Sequence, residues 1–248
     1  NNLTTTTTGT GTTSFGTTSL GGNLGVTSAS AVSDTGSVSV TGTTTLAAGA
    51  NAITLDSAGN SFGGAVTANG TSVTIDGGTG SLNVGSGGIT ASTGNVDLRA
   101  DTQISATGNI SAVNGTVILS ASSAGAGIVL SNLPPSNRII ADNLQIGRSG
   151  QTGVISLGGN FSTGNNLTFA QAVRLTTDVT LNTSSGNGNI TFNSTVDGTA
   201  SGQQGLTLNT GTGDIAVAGD IGNGTQLEYL RITQAHDATF SSQINPEP

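Results

Sequence analysis

The chain of 248 residues has no cysteine, no methionine, no tryptophan and a single tyrosine. Without cysteine there is no disulfide framework and no thiolate nucleophile. A cysteine-free chain of this size, if extracellular, fits bacterial secretion better than a small disulfide-stapled ectodomain. Charged residues make up 7% of the chain, far below the roughly 25% of an average soluble domain. Lysine is missing altogether: the five cations are Arg99, Arg138, Arg148, Arg174 and Arg231, in a chain of net charge −8. Scattered arginines on an acidic chain form no basic stripe, so no nucleic-acid partner is expected. No apolar run is long enough to span a bilayer, and no basic amphipathic helix suggests binding to its surface. The sequence opens at Asn1 with no charged or apolar leader, which predicts a processed product or a piece of something longer.

With aromatics at 3%, a thick core of large side chains is out of reach. What the chain does have is Gly, Thr, Ser, Asn and evenly spread Val, Ile and Leu. From Val38 onward these form apolar–polar–apolar triplets: Val38–Val40, Ile53–Leu55, Val73–Ile75, Leu82–Val84, Val96–Leu98 and Leu144–Ile146. The series continues with Leu167–Phe169, Val173–Leu175, Val179–Leu181, Ile190–Phe192, Leu206–Leu208, Ile215–Val217 and Leu230–Ile232. Period two is the mark of strands with one buried face. Gly, Asn, Ser and Asp between the triplets supply turns. Sustained helical spacing is absent, with a weak exception around Thr225–Tyr229.

The triplets recur. Leu55 to Ile75 is a step of 20 residues, and both Ile75 to Val96 and Val96 to Val117 are steps of 21. Steps of about 20–25 residues are one coil of a β-solenoid. Each strand is too short to stand alone, but stacked coils pair their backbones at about 4.8 Å and set like residues on like. The predicted fold is therefore all-β, a parallel β-helix of about 20–25 residues per coil. Residues 1–25 are a low-complexity Thr-rich segment with no evident apolar face, expected as a loose start or an edge strand. Residues 26–244 form a single solenoid. Leu133-Pro-Pro-Ser136 marks a proline-containing insertion near 133–137, because proline cannot donate to a ladder. Residues 245–248 (Asn-Pro-Glu-Pro) form a C-terminal linker.

Three stretches, Gly188-Asn-Ile-Thr-Phe through Val196-Asp-Gly198, Gly205-Leu-Thr-Leu through Gly213-Asp-Ile to Gly222, and Leu227-Glu-Tyr-Leu-Arg-Ile-Thr233, resemble the repeats of bacterial large exoproteins. These are the filamentous haemagglutinin-like and autotransporter-type adhesins. The resemblance is good over 165–244 and diffuse over 35–130. It implies a right-handed parallel β-helix, secretion across the outer membrane, and an adhesive or matrix role. The Asn-Pro-Asn-Gly type motif of the family's secretion domain does not occur in the sequence.

Candidate chemistry is sparse. Asp56, Asp76 and Asp97 each follow an apolar strand residue at coil spacing, so they could stack as a carboxylate ladder bridged by calcium or serve as paired carboxylates for sugar hydrolysis. The plainer reading, shared with Asp197, Asp214 and Asp220, is local turn hydrogen bonding. Asp76-Gly-Gly-Thr-Gly80 lacks the Gly-Gly-x-Gly-x-Asp order of calcium repeats. His236 is the only histidine, and its neighbours Gln234 and Asp237 make no metal or triad spacing. Gly85-Ser-Gly-Gly88, with neither a following helix nor a lysine, reads as a tight coil corner rather than a phosphate cradle. Asn-x-Ser/Thr sequons at Asn69, Asn109, Asn114, Asn166, Asn189 and Asn223 are expected by chance in this composition. Thr43-Thr-Thr45 raises ice binding, which needs a Thr pair repeated on one face in nearly every coil.

The resulting expectation is a non-catalytic, secreted or surface-exposed structural or adhesive solenoid with no catalytic, cofactor or metal residues. End-to-end self-association into filaments and a glycan or protein receptor on a host or neighbouring cell are its expected partners. A carbohydrate-active or glycan-binding β-helix is the competing class, and an ice-binding solenoid a lesser one.

Overall fold

The computed structural model describes residues 1–129 and 136–245. Pairing between strands is parallel throughout the registers it defines, and the only helical turn among the described residues is a single 3-10 turn, Ser136–Arg138. Thr225–Tyr229 is bends and an isolated position, not helix. Each of the thirteen apolar–polar–apolar triplets lies within a strand. The chain divides into two compact units: Asn1–Ser123 with Asn132–Asp142, and Ala124–Ser131 with Asn143–Pro248. Both are β-solenoids. Residues 133–135 of the proline segment and 246–248 of the C-terminal segment lie outside the described residues.

In the first unit each coil contributes up to three short strands. The first coil holds β1 (Leu3–Thr7), β2 (Thr13–Phe15) and β3 (Thr18–Leu20), and the second β4 (Leu24–Ser28), β5 (Val32–Asp34) and β6 (Val38–Val40). The third holds β7 (Thr44–Ala47), β8 (Ile53–Leu55) and β9 (Ser61–Phe62). Above them lie β10 (Val66–Gly70), β11 (Val73–Asp76), β12 (Ser81–Ala91), β13 (Val96–Arg99), β14 (Gln103–Ala106) and β15 (Ile110–Ser120). Like stacks on like: Val26, Leu46, Ala68, Ile89 and Ile110 follow one another in register, as do Val32, Ile53, Val73, Val96 and Val117. These side chains are almost wholly buried, each burial of a larger aliphatic contributing roughly 1.5–3 kcal/mol. Short aliphatics suffice because every coil is roofed by the next.

The coil length is not constant. Leu55 pairs with Ile75 and Val96 with Val117, as the spacing predicted, but Val96 sits on Val73 and Leu98 on Ile75. The coil from Val73 to Val96 is therefore longer than the coils on either side of it. The extra residues lie in the turn Ser92–Asn95: Gly70 still pairs with Ala91, but the four turn residues then stand opposite Thr71 and Ser72 before Val73 meets Val96. The Gly85–Gly88 bulge inside β12 is a separate irregularity, between the pairings Val66–Val84 and Ala68–Ile89.

Residues 1–25 belong to the stack. Thr5 pairs with Val26 and Thr7 with Ser28. The half-buried positions of β1 are Leu3, Thr5 and Thr7. In place of an apolar contact, the hydroxyls of Thr7, Thr13 and Ser28 close a triangle with sides of 2.8, 2.9 and 2.9 Å. Threonine has the branched shape of valine, and its hydroxyl tolerates burial once hydrogen-bonded.

The second unit repeats the scheme. β17 (Ile139–Ile146), β20 (Asn166–Phe169), β23 (Ile190–Phe192), β26 (Ile215–Val217) and β28 (Ala238–Phe240) pair in order through Leu144, Leu167, Ile190, Ile215 and Ala238. A second run joins β16 (Ile128–Val129), β18 (Ile155–Leu157), β21 (Val173–Leu175) and β24 (Val196–Gly198), and a third joins β19 (Phe161–Ser162), β22 (Val179–Asn182), β25 (Leu206–Asn209) and β27 (Leu230–Gln234). Phe169 and Phe192 stack with ring centroids 4.9 Å apart and planes 12° from parallel, an in-register aromatic pair.

Candidate functional sites: corner ladders, an ion cluster and a polar groove

The polar residues that could carry chemistry sit at coil corners, and most are engaged with the neighbouring coil. Asp34 accepts from the backbone N–H of Asp56 and Ser57 and from the Asn60 amide. Asp101 accepts from the N–H of Ser122 and Ser123, both at 2.8 Å. Asp178 accepts from Gly205 N–H, and Asp197 from the N–H of Gly224 and Thr225. Asparagines do the same. Asn2, Asn23, Asn95, Asn160, Asn166 and Asn189 each take an N–H from the coil that follows. Corner carboxylates thus satisfy N–H groups of the next coil rather than of their own turn. Local turn bonds of the kind the sequence suggests are made by Asp76, which accepts from Gly78 N–H at 2.8 Å, and by Asp220, which accepts from the Asn223 amide.

Asp56, Asp76 and Asp97 do not form a ladder of three. The lengthened coil puts Arg99 in register with Asp76, while Asp97 pairs with Thr74. A cation sits where the third carboxylate was anticipated. Arg99 Nη2 lies 3.0 Å from Asp97 Oδ2, and Arg99 Nη1 lies 3.7 Å from Asp76 Oδ2. Burial pushes the Asp76 carboxyl above the usual carboxylate range, against the pull of the Ser122 hydroxyl, Gly78 N–H and Arg99. Burial alone would lower the Arg99 guanidinium, but the hydrogen bond and charge of Asp97 and the charge of Asp76 outweigh it and raise it. One guanidinium thus serves both carboxylates and pins one coil on the next. Among the described residues no group of three or more histidines and carboxylates is suited to a metal ion.

His236 finds a partner that its sequence neighbours do not provide. Its Nδ1 lies 2.9 Å from Asp214 Oδ1, both side chains being well exposed. That hydrogen bond, with the Asp214 charge, raises the imidazole above its ordinary value. The contact is one more corner pairing between coils. Asp220 also accepts from Ser242 Oγ and from Gln243 N–H, which hold its carboxyl below the usual range.

The Thr-x-Thr pattern is interrupted. On the face bearing Thr45 the register runs Thr4, Gly25, Thr45, Thr67, and the adjoining column runs Thr6, Thr27, Ala47, Asn69.

One concave site stands apart from the ladders. In the first unit a groove of about 420 Å³ is lined by Ser86, Gly87, Gly88, Thr90, Gly108, Asn109, Ser111, Arg138 and Ile140. The Gly85–Gly88 bulge and the Asn109 corner of the next coil form its floor. Gly88 has φ of +76°, and a Cβ there would run into the Asn109 carbonyl. Sequence reasoning placed Gly85–Gly88 at a corner but had no means of finding Arg138 and Ile140 beside it, since they lie far along the chain. Arg99 was missed as well, but there the signal was legible: Asp97-Leu-Arg99 places both charges on one strand face. Asp34 and Asp101 carry no local mark, because their partners are a coil away.

A family described as repeats of unknown function (DUF5649) matches residues 1–69. No curated protein and no solved structure matches the chain. The matched span takes in the first three coils, β1 to β9, and most of β10. Repeating sequence and repeating coil coincide there: the chain is a repeat protein built as parallel β-solenoid.

Proposed function

We propose that the chain is a non-catalytic structural or adhesive element, secreted or displayed on a bacterial surface, whose coils build a scaffold rather than an active site. The observation that carries this reading is the use made of its ionisable groups. The corner aspartates and Arg99 are committed to contacts between successive coils. An enzyme needs groups with shifted pKa values converging on a cleft, whereas the shifted groups here are scattered among corners and strand faces. The resemblance of residues 165–244 to large exoprotein repeats supports the same assignment.

Parallel coils pair through sequence-blind backbone ladders that one chain can extend from another, so end-to-end self-association into filaments is part of the proposal. Electron microscopy of the purified chain tests it. Filaments or chains of particles joined end to end are expected, growing with protein concentration. Uniformly separate particles at every concentration would remove the filament reading, and cleavage of a polysaccharide by the purified chain would remove the non-catalytic one.

A further inference from the structure

The polar groove of the first unit differs from the ladder corners in one respect. At those corners, the Asn and Asp side chains receive N–H groups from the next coil. In the groove the side chains of Ser86, Thr90, Asn109, Ser111 and Arg138 have no hydrogen-bond or ion-pair partner among the described residues. The contrast is sharpest at Asn109. At the corner of Asn95 the backbone carbonyl accepts from Val73 N–H and the side chain from Thr116 N–H; at Asn109 the backbone carbonyl likewise accepts, from Ile89 N–H, while the side chain takes no N–H among the described residues.

We propose that this groove binds a uronic-acid unit of an acidic saccharide. The volume of 420 Å³ lies within the range of about 300–1,000 Å³ typical of small-ligand sites. Three hydroxyls and an amide, each able to donate and accept, match a ring bearing vicinal hydroxyls. Arg138 offers the planar fork that grips a carboxylate through two parallel hydrogen bonds. Ile140 is exposed at 46% and gives the one apolar edge a pyranose C–H face needs. Gly87, Gly88 and Gly108 leave the floor bare, so a ring can settle against the backbone. A small inorganic anion would use Arg138 and leave most of the lining unmatched; a neutral sugar would leave the guanidinium without its carboxylate. The inference rests on the groove alone and holds whether or not the chain forms filaments.

Isothermal titration calorimetry on the full chain tests it with three probes: a tetra-uronate, a neutral glucose tetrasaccharide, and sodium phosphate. The uronate should bind saturably, and both other probes at least ~10-fold more weakly. Arg138→Gln should weaken the uronate ~10-fold or more, and Arg138→Lys nearly as much because the fork is lost. Asn109→Ala should weaken it by about 5-fold. Arg138 is exposed and pairs with no described residue, so circular dichroism of its variants should match the parent. No saturable uronate binding up to about 10 mM overturns the proposal. So does equal binding of the neutral sugar, equal binding of phosphate, or uronate affinity indifferent to Arg138→Gln.

Discussion

Thr44 is the sharpest test of the stacking argument, because the fold makes it a polar atom in an apolar column. Its register neighbours are Leu24 and Val66, and it is fully buried. Its Oγ1 is buried without a hydrogen-bond partner among the described residues, whereas the backbone N–H is secured by the Ala65 carbonyl at 2.9 Å. Leaving a buried hydroxyl unpaired costs about 1–3 kcal/mol. Thr44→Val keeps the branched shape, exchanges hydroxyl for methyl and places valine between leucine and valine. The variant should therefore be more stable by about 1 kcal/mol, the lower end of that range, since the new methyl must fit where an oxygen sat. Two controls bracket it. Thr44→Ser keeps the orphan hydroxyl and loses a methyl, and should be less stable by roughly 1 kcal/mol. Val66→Thr adds a second buried hydroxyl and should lose about 1–3 kcal/mol. Urea denaturation followed by far-ultraviolet circular dichroism reads all three, provided the m-value is unchanged. A Thr44→Val variant that melts at lower urea than the parent, with the same m-value, would refute the claim that an apolar column holds these coils together.

Three further outcomes are expected. Arg99→Met strands Asp76 and Asp97 near each other without their cation and should cost about 3 kcal/mol, with urea midpoints recovering when Asp76→Asn is added. Gly205→Ala sets a Cβ into the Tyr229 ring and should cost about 1–3 kcal/mol; the loss should shrink in a Tyr229→Ala background, a coupling readable in a double-mutant cycle. The His236–Asp214 contact stabilises the imidazolium, so its contribution is complete below the ordinary histidine value of about 6.5 and fades as pH rises through the raised folded value. Proton NMR of the ring should show the His236 midpoint falling in Asp214→Asn, and an unmoved midpoint would exclude the contact.

The fold was legible because its unit is local. Period-two triplets such as Ile53–Leu55 or Leu206–Leu208 declare strand and buried face within a few positions, and their recurrence declares coils. The ladder of Asp56, Asp76 and Asp97 failed for a related reason. Counting from Ile75 to Val96 gives a coil of ordinary length, but two extra residues in the Ser92–Asn95 turn lengthen that coil, and a shift by an even number of positions along a strand keeps the same face while changing the partner. Arg99 therefore replaced the expected carboxylate, and an anticipated cation site became an internal ion cluster. The Thr-rich start illustrates the converse. Leu3–Thr7 shows no apolar face in sequence, yet the Thr7 hydroxyl finds partners at Thr13 and Ser28 that become visible only once the coils close.

Composition and periodicity by themselves determined that this chain is all-β, thin-cored and coiled, since a sequence with few bulky residues and evenly spread small aliphatics buries them by stacking coil on coil. The tertiary structure alone decided which coil sits on which residue, where a bulge shifts the register, and which side chains meet from distant positions in the sequence. Backbone pairing is sequence-blind and tolerates coils of several lengths, so the exact partner of each polar side chain is settled by the accumulated length of every turn beneath it.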